Sequence, residues 1–492
     1  MSVESQPYGY AAPGFLVKPS WRLIPQIDRD PSFVAGVQGI RGRLLLCCAI
    51  GLLAALFWQI GIDFSAAGLA MACAYAGRYR RVLILLATLL LLCRSGFLVD
   101  RAFLERLAID EGVADRIHQP LLEMAMLMVT FTMFAGLLAL QGSGSIVLRR
   151  PTLSLLLVFL ALVVVTQATI VAGMPRVLLW SFLMTSQPYL WFLAYGLADA
   201  GKERSPVWPR LSVFHPFWGS TLTPFGKGLS YLRRFEAKTP EELAVTQLKG
   251  VKLAAWTLVL AIVKICLAEL VYGRLQLPRF DDNLLQYLAG HPLPRFAGWA
   301  SVVIFFAEDL LSMTVFGGII VATARLAGFR LLRNTYRPLE STTLAEFWNR
   351  YYFYYKELLV DHFFYPTFVR CFRGHRRFRM FFATFAAACV GNLLFHFIRD
   401  IHFVGEMGLW RALIGEQSHA FYTFVLAISV GLSQMRRAPQ QVSRGWLRGR
   451  LLPCLWVSSF FCFIHVFDAP LDREHSLWQR TEFLLYLLGV TT

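Results

Sequence analysis

Charge is scarce in this 492-residue chain: Asp, Glu, Lys and Arg make up 16% of it, against about 25% in ordinary soluble domains. That shortage excludes a conventional charged surface over most of the molecule. Paired cysteines are missing as well. No Cys-x-x-Cys pair occurs, so neither structural zinc nor a disulfide framework is expected. Cys47, Cys48, Cys73, Cys93, Cys266, Cys389, Cys454 and Cys462 lie in apolar runs, where cysteine acts as a small hydrophobe. Cys371 flanks a basic loop. There is no internal repeat and no low-complexity tract. A transporter built from paired repeats therefore ranks last. The start, "MSVESQPYGYAAPGF", has no hydrophobic core and does not read as a cleaved signal peptide. Residues 1–40 read as an N-terminal surface segment and 41–492 as a single membrane-embedded domain.

Long hydrophobic runs are what the chain has instead. "LLLCCAIGLLAALFWQIGI" (44–62), "LLEMAMLMVTFTMFAGLLAL" (121–140), "LSLLLVFLALVVVTQATIVAG" (153–173) and "LAAWTLVLAIVKICLAELVYG" (253–273) approach the ~20 residues that span a hydrocarbon core. Further candidates are 82–99, 179–198, 297–323, 380–399, 418–435 and 452–467; 64–77 is short and suits a re-entrant or tilted piece. Backbone polar groups in lipid must be satisfied internally, so these runs are helices. The expected fold is all-α and polytopic, with about eight to eleven transmembrane helices. The net charge is +17, but its basic residues cluster between apolar runs, as in "RYRR" (78–81), "RGHRRFR" (373–379) and "RRAPQQVSRGWLRGR" (436–450). That is the pattern of cytoplasmic loops, and no nucleic-acid partner is expected. The two loops at 373–379 and 436–450 should share the cytoplasmic side.

Two segments are mixed in character. In 200–250, "KTPEELAVTQLKG" has Thr239 as N-cap with Glu242 three residues on, and suits an interfacial helix or a partly re-entrant piece. In 325–379, "TTLAEFWNRYYFYYKELLVDHFFYPTF" is rich in Tyr and Trp, which favour the membrane–water interface. Thr342 or Thr343 can cap its helix, with Glu346 in the first turn.

This second segment resembles the signature region of the membrane-bound O-acyltransferase (MBOAT) family. It is nearest to the bacterial branch that acetylates alginate or cellulose and to the D-alanyl transferases of teichoic acid synthesis. The resemblance rests on Gly328, Phe329, Asn334, Pro338, Phe347, Trp348, Arg350, Asp361 and Pro366, and covers most of 200–470. It implies a multi-helix bundle with re-entrant and interfacial helices. It also implies an acyl thioester such as acetyl-CoA as co-substrate, with no bound cofactor. The acceptor would be a polysaccharide or glycolipid, and the chain would work with membrane lipid and with envelope partner proteins. His396, in "FHFIRD", falls where the family carries its invariant histidine, and Tyr352 aligns with a family His or Asn. The chain departs from the family pattern at five points: Phe395-His396-Phe397 replaces Trp-His-Gly, Val360 stands before Asp361 in place of Arg, Tyr352 is neither His nor Asn, "AEDLLSMTVFGG" (307–318) replaces a polar stretch, and the chain between His396 and His419 is longer than the family's usual spacing.

The residues themselves support a base at His396. On a helix Asn392, His396 and Arg399 share a face, and Asp400 is placed to orient the imidazole ring. Histidine titrates near neutrality and can take and return a hydroxyl proton. The alternative is a buried polar residue bonded to a neighbouring helix. Tyr352 is a hydrogen-bond donor and a poor base. Arg373, Arg376 and Arg377 can hold coenzyme A phosphates by charge, or simply fix topology. Glu308 and Asp309 are expected to pair with Arg325 or Lys264. His362 is a weaker substitute for Tyr352, and His419 and His465 read as structural. Two functions stay open: an O-acyltransferase, or a catalytically degenerate scaffold or acyl-relay subunit of an envelope assembly.

Overall fold

Large apolar side chains cover the outside of this protein. In the computed structural model, which describes residues 24–93, 100–139, 149–200, 207–211, 216–219, 222–435, 445–469 and 475–490, Leu45 is 71% and Trp456 70% exposed. Asn392, Ser418 and His419 are buried instead. Apolar outside and polar inside is the arrangement a lipid solvent selects. Among the described residues there is no named strand, only an isolated bridge between Glu236 and Phe329.

Seven helices among the described residues are long and apolar enough to cross a membrane. Five come first: α1 (Ile40–Gln59), α2 (Gln119–Ala139), α3 (Met174–Asp199), α4 (Pro240–Arg274) and α5 (Arg295–Leu326). Two short helices follow, α6 (Leu344–Tyr351) and α7 (Phe353–Leu359). Then come the span α8 (Arg376–Arg399), the helix α9 (Gln417–Met435) and the last span α10 (Leu447–Phe467). The expected number was eight to eleven. The run at 153–173 yields a helix of only 16 residues, Pro151–Thr166. The run at 82–99 yields Arg80–Cys93, and its end lies outside the described residues. Polar residues at both ends of α9 keep it out of the seven.

Two expectations are corrected. "KTPEELAVTQLKG" is not a separate interfacial helix. Thr239 does cap it, accepting from the Glu242 amide at 3.1 Å, but the helix runs on without a break into the span, 35 residues in all. Nothing in 240–268 stops a helix, since its only proline is at the first position. Residues 31–38, the last part of the expected surface segment, form a helix that buries Val34 and Val37. Asp28 ties this region to Lys252 of α4 by an ion pair.

Small residues let α4 and α5 pack closely, as in other membrane helix pairs. A Cβ on Gly318 would lie 2.3 Å from Thr257 Oγ1, and one on Gly250 would lie 3.2 Å from the Ala322 carbonyl oxygen. Gly317 does a different job. A Cβ there would meet Asn334 Nδ2 at 2.5 Å, so glycine admits the 334–336 segment against α5.

Candidate active site at a histidine cluster

The helices α8, α9 and α10 run up, down and up. Near one end of α8, Thr384 Oγ1 donates to Gln434 Oε1 of α9 at 2.6 Å. Near the other end, the His396 and His419 rings lie 4.4 Å apart. The pair is therefore antiparallel, and Gly431 lets the Phe381 ring sit against it. Helix α10 returns beside them; His465 lies in its last turn, and Asp468 follows the helix. Three histidines from three consecutive helices thus meet at one end of the bundle. The opposite end holds Arg376 and Met435, so the basic loops leave from the same side; 436–444 lie outside the described residues.

Asp468 organises the cluster. Its Oδ1 is 3.1 Å from His419 Nδ1, a hydrogen bond. Its Oδ2 is 3.6 Å from His465 Nδ1, an ion-pair contact. Burial pushes the Asp468 carboxyl up, but the His419 hydrogen bond and the surrounding His419, His465 and His396 rings outweigh it and hold it below the usual carboxylate range. A carboxylate accepts and cannot donate, so His419 carries its proton on Nδ1. His419 is 0% exposed. Its Nε2 is buried with no hydrogen-bond partner, and so is His396 Nδ1. The His396 side chain is only half-buried. Among the described residues no group of three or more His, Cys, Asp and Glu is placed to hold a metal ion.

Tyr355 joins this cluster to Tyr352. Its ring is edge-on to His396 at 6.0 Å, and its hydroxyl donates to Asn392 Oδ1 at 2.5 Å. Tyr352 packs on the other side of Tyr355 at 5.4 Å, with its hydroxyl 3.4 Å from Thr223 Oγ1. The aromatic segment is not one helix, as its pattern suggested. It breaks at Tyr352, where φ is −137° and ψ 84°. The 334–336 segment satisfies the freed backbone. Phe353 N donates to the Asn334 carbonyl at 2.9 Å and Tyr336 N to that of Arg350 at 2.9 Å. Thr335 Oγ1 donates to the Tyr351 carbonyl at 2.8 Å.

Other expected partners go elsewhere. Asp400 does not orient His396; it forms a bidentate pair with Arg399, at 2.9 and 2.6 Å, because a guanidinium fork fits a carboxylate better than a ring one turn back. Asn392 is occupied by Tyr355. Glu308 and Asp309 accept from Tyr272 (2.5 Å) and Tyr351, not from Arg325, whose guanidinium donates to the Leu331 carbonyl. His362 bonds Thr152 at 2.6 Å, away from His396. Asp361 belongs to a second polar cluster, 2.8 Å from Lys227 Nζ and accepting from the Tyr195 hydroxyl at 2.9 Å. Arg373, Arg376 and Arg377 are exposed. Arg376 and His396 stand at opposite ends of α8, about 30 Å apart at 1.5 Å per residue. The structure does not bring those arginines to His396.

Asp468 escaped the sequence reading, as did the meeting of His419 and His465 with His396. The signal was present. Each of three successive apolar runs carries one histidine near an end, and alternation of direction puts those ends together.

A scan of the chain against protein-family models finds no match, and a search of curated proteins finds none either.

Proposed function

We propose that this chain is a membrane O-acyltransferase of the bacterial inner membrane. It moves an acyl group, acetyl in the first instance, from a thioester such as acetyl-CoA to a hydroxyl of an exported polysaccharide or glycolipid. The observation that carries this reading is a half-buried histidine at the end of a span, set beside an Asp-bound histidine. His396 takes the hydroxyl proton as the acceptor oxygen attacks the thioester carbonyl carbon. The C–S bond then breaks, and the leaving thiolate recovers that proton from His396. Tyr352, packed against Tyr355, is assigned to substrate binding in this reading, and the resemblance at 324–366 supplies the reaction class.

A second reading, a degenerate scaffold or acyl-relay subunit of an envelope assembly, has its own support. Tyr352 replaces the family's His or Asn. The cavity beside Lys227 and the cleft beside Tyr287 do not reach His396, and the expected donor-binding arginines are remote from it. The O-acetyl content of exported glycan decides between the two. It is measured in a deletion strain complemented with wild type, His396→Ala or Tyr352→Phe. The enzyme reading expects no acetyl with His396→Ala. If Tyr352 donates to the developing oxyanion, Tyr352→Phe lowers the rate by about 10²–10³. Full acetylation by both variants, with none in the deletion strain, defeats the enzyme reading.

A further inference from the structure

The family resemblance assigns no role to His419 or Asp468, yet they are the groups best arranged around His396. Asp468 fixes the proton of His419 on Nδ1 (3.1 Å). In the neutral ring, the Nε2 of His419 is then an acceptor. That acceptor is buried and unpartnered, and so is Nδ1 of His396, on a ring 4.4 Å away. Rings at this separation can bring a nitrogen of each within hydrogen-bond reach. A buried acceptor and a buried donor left single are each costly, and they are complementary.

We infer that Asp468, His419 and His396 form a positioning relay for acyl transfer. It rests on the acyltransferase reading above. His396 Nδ1–H donates to His419 Nε2, and His419 Nδ1–H donates to Asp468. This leaves His396 Nε2 as the basic nitrogen toward substrate. When Nε2 takes the hydroxyl proton, the new positive charge is shared along the chain and faces the Asp468 carboxylate. No proton passes to Asp468, and the one on Nε2 leaves with the thiolate. The remaining neighbours do not supply this function. Arg399 is committed to Asp400, Tyr355 to Asn392, and Tyr351 to Asp309. His465 serves as the second contact that steadies Asp468.

The test uses inverted membrane vesicles from the complemented deletion strain, which carry the endogenous acceptor. Acetyl-CoA is varied, and rates are normalised to the amount of protein in the membrane. Asp468→Asn and His419→Gln should each lower the maximal rate by roughly 10–100-fold, the usual cost of losing a group that orients a functional histidine. The KM for acetyl-CoA should stay the same. Asp468→Glu should recover part of the rate, which a purely structural role does not predict. Wild-type maximal rates in both Asp468→Asn and His419→Gln, with His396→Ala inactive, would falsify the relay and leave the acyltransferase reading standing. A fully active His396→Ala, or wild-type vesicles that transfer no acetyl, overturns that reading and the relay with it.

Discussion

Two polar clusters among the described residues differ in how their charged groups are paired. Around Lys227 cations and carboxylates are in direct contact. Its ammonium lies 2.6 Å from Glu357 and 2.8 Å from Asp361, Lys356 pairs with Glu357, and Tyr195 donates to Asp361. Burial works against the Lys227 charge, but Asp361 and Glu357 outweigh it and hold the group above the ordinary lysine range. Nearby Asp199 accepts from the Ser230 amide and hydroxyl. Gly228 is needed there, since a Cβ would lie 2.1 Å from Asp199 Oδ2. At the histidine cluster, by contrast, ring nitrogens are left over on His396, His419 and His465. A closed network rigidifies a fold, while an open one keeps bonding capacity for chemistry. The first cluster should therefore govern stability and the second activity.

The contrast is sharpest at its extremes. His396→Ala should cut acetyl transfer by about 10²–10⁴, the span of a general base, while thermal stability in detergent barely moves. A parallel loss of folded protein would erase the distinction between the clusters. Lys227→Met should do the reverse. It leaves Asp361 without its cation, while Glu357 keeps Lys356, and should cost about 3 kcal/mol of stability, the lower end for breaking a buried pair. Activity per folded molecule should persist, and a chain as heat-stable as wild type would show that the Lys227 cluster is not structural.

A pH experiment probes a third group. Glu416 is buried, and neither carboxylate oxygen has a partner. Burial first, and Asp400 second, push its carboxyl from an ordinary 4.5 up to about 8. The folded state thus holds a proton that the unfolded state has released. Its stabilising contribution is complete below about pH 4.5 and is lost as the pH rises toward 8. Glu416→Gln should flatten melting temperature across that window, and an unchanged pH slope would mean the carboxylate is solvated. The smallest effect is expected at Gly317→Ala. The added methyl meets Asn334 and should cost about 1–3 kcal/mol. Activity should fall with it, because Asn334 supports the break at Tyr352. Unaltered kinetics would separate the break from the site.

The spans were legible because lipid demands length and apolarity in one continuous stretch, as in 380–399. Caps were legible because they are local: Thr343 accepts from the Glu346 amide at 3.1 Å, within three residues. The break at Tyr352 was not. It depends on Asn334, which is distant in sequence, and on the room made by Gly317. The apolar and aromatic pattern of 344–366 carries no trace of either. Of the site, His396 was visible through its place in an apolar run. Its true neighbours were hidden because Asp400, adjacent in sequence, looked like the natural partner and is taken by Arg399.

The up–down–up course of α8, α9 and α10 has a consequence for the energetics of export. If the basic loops face the cytoplasm, the base stands about one hydrocarbon thickness away from them, ~30 Å. On the acyltransferase reading proposed above, the ester would then form at the outer leaflet, while the nucleotide part of the donor stays inside. What would have to reach across the bilayer is the slender thioester-bearing arm, and not the highly charged nucleotide. Placing the reaction at the far end of α8 makes the cell's barrier do the sorting, because the heavy, anionic part of the donor never has to leave.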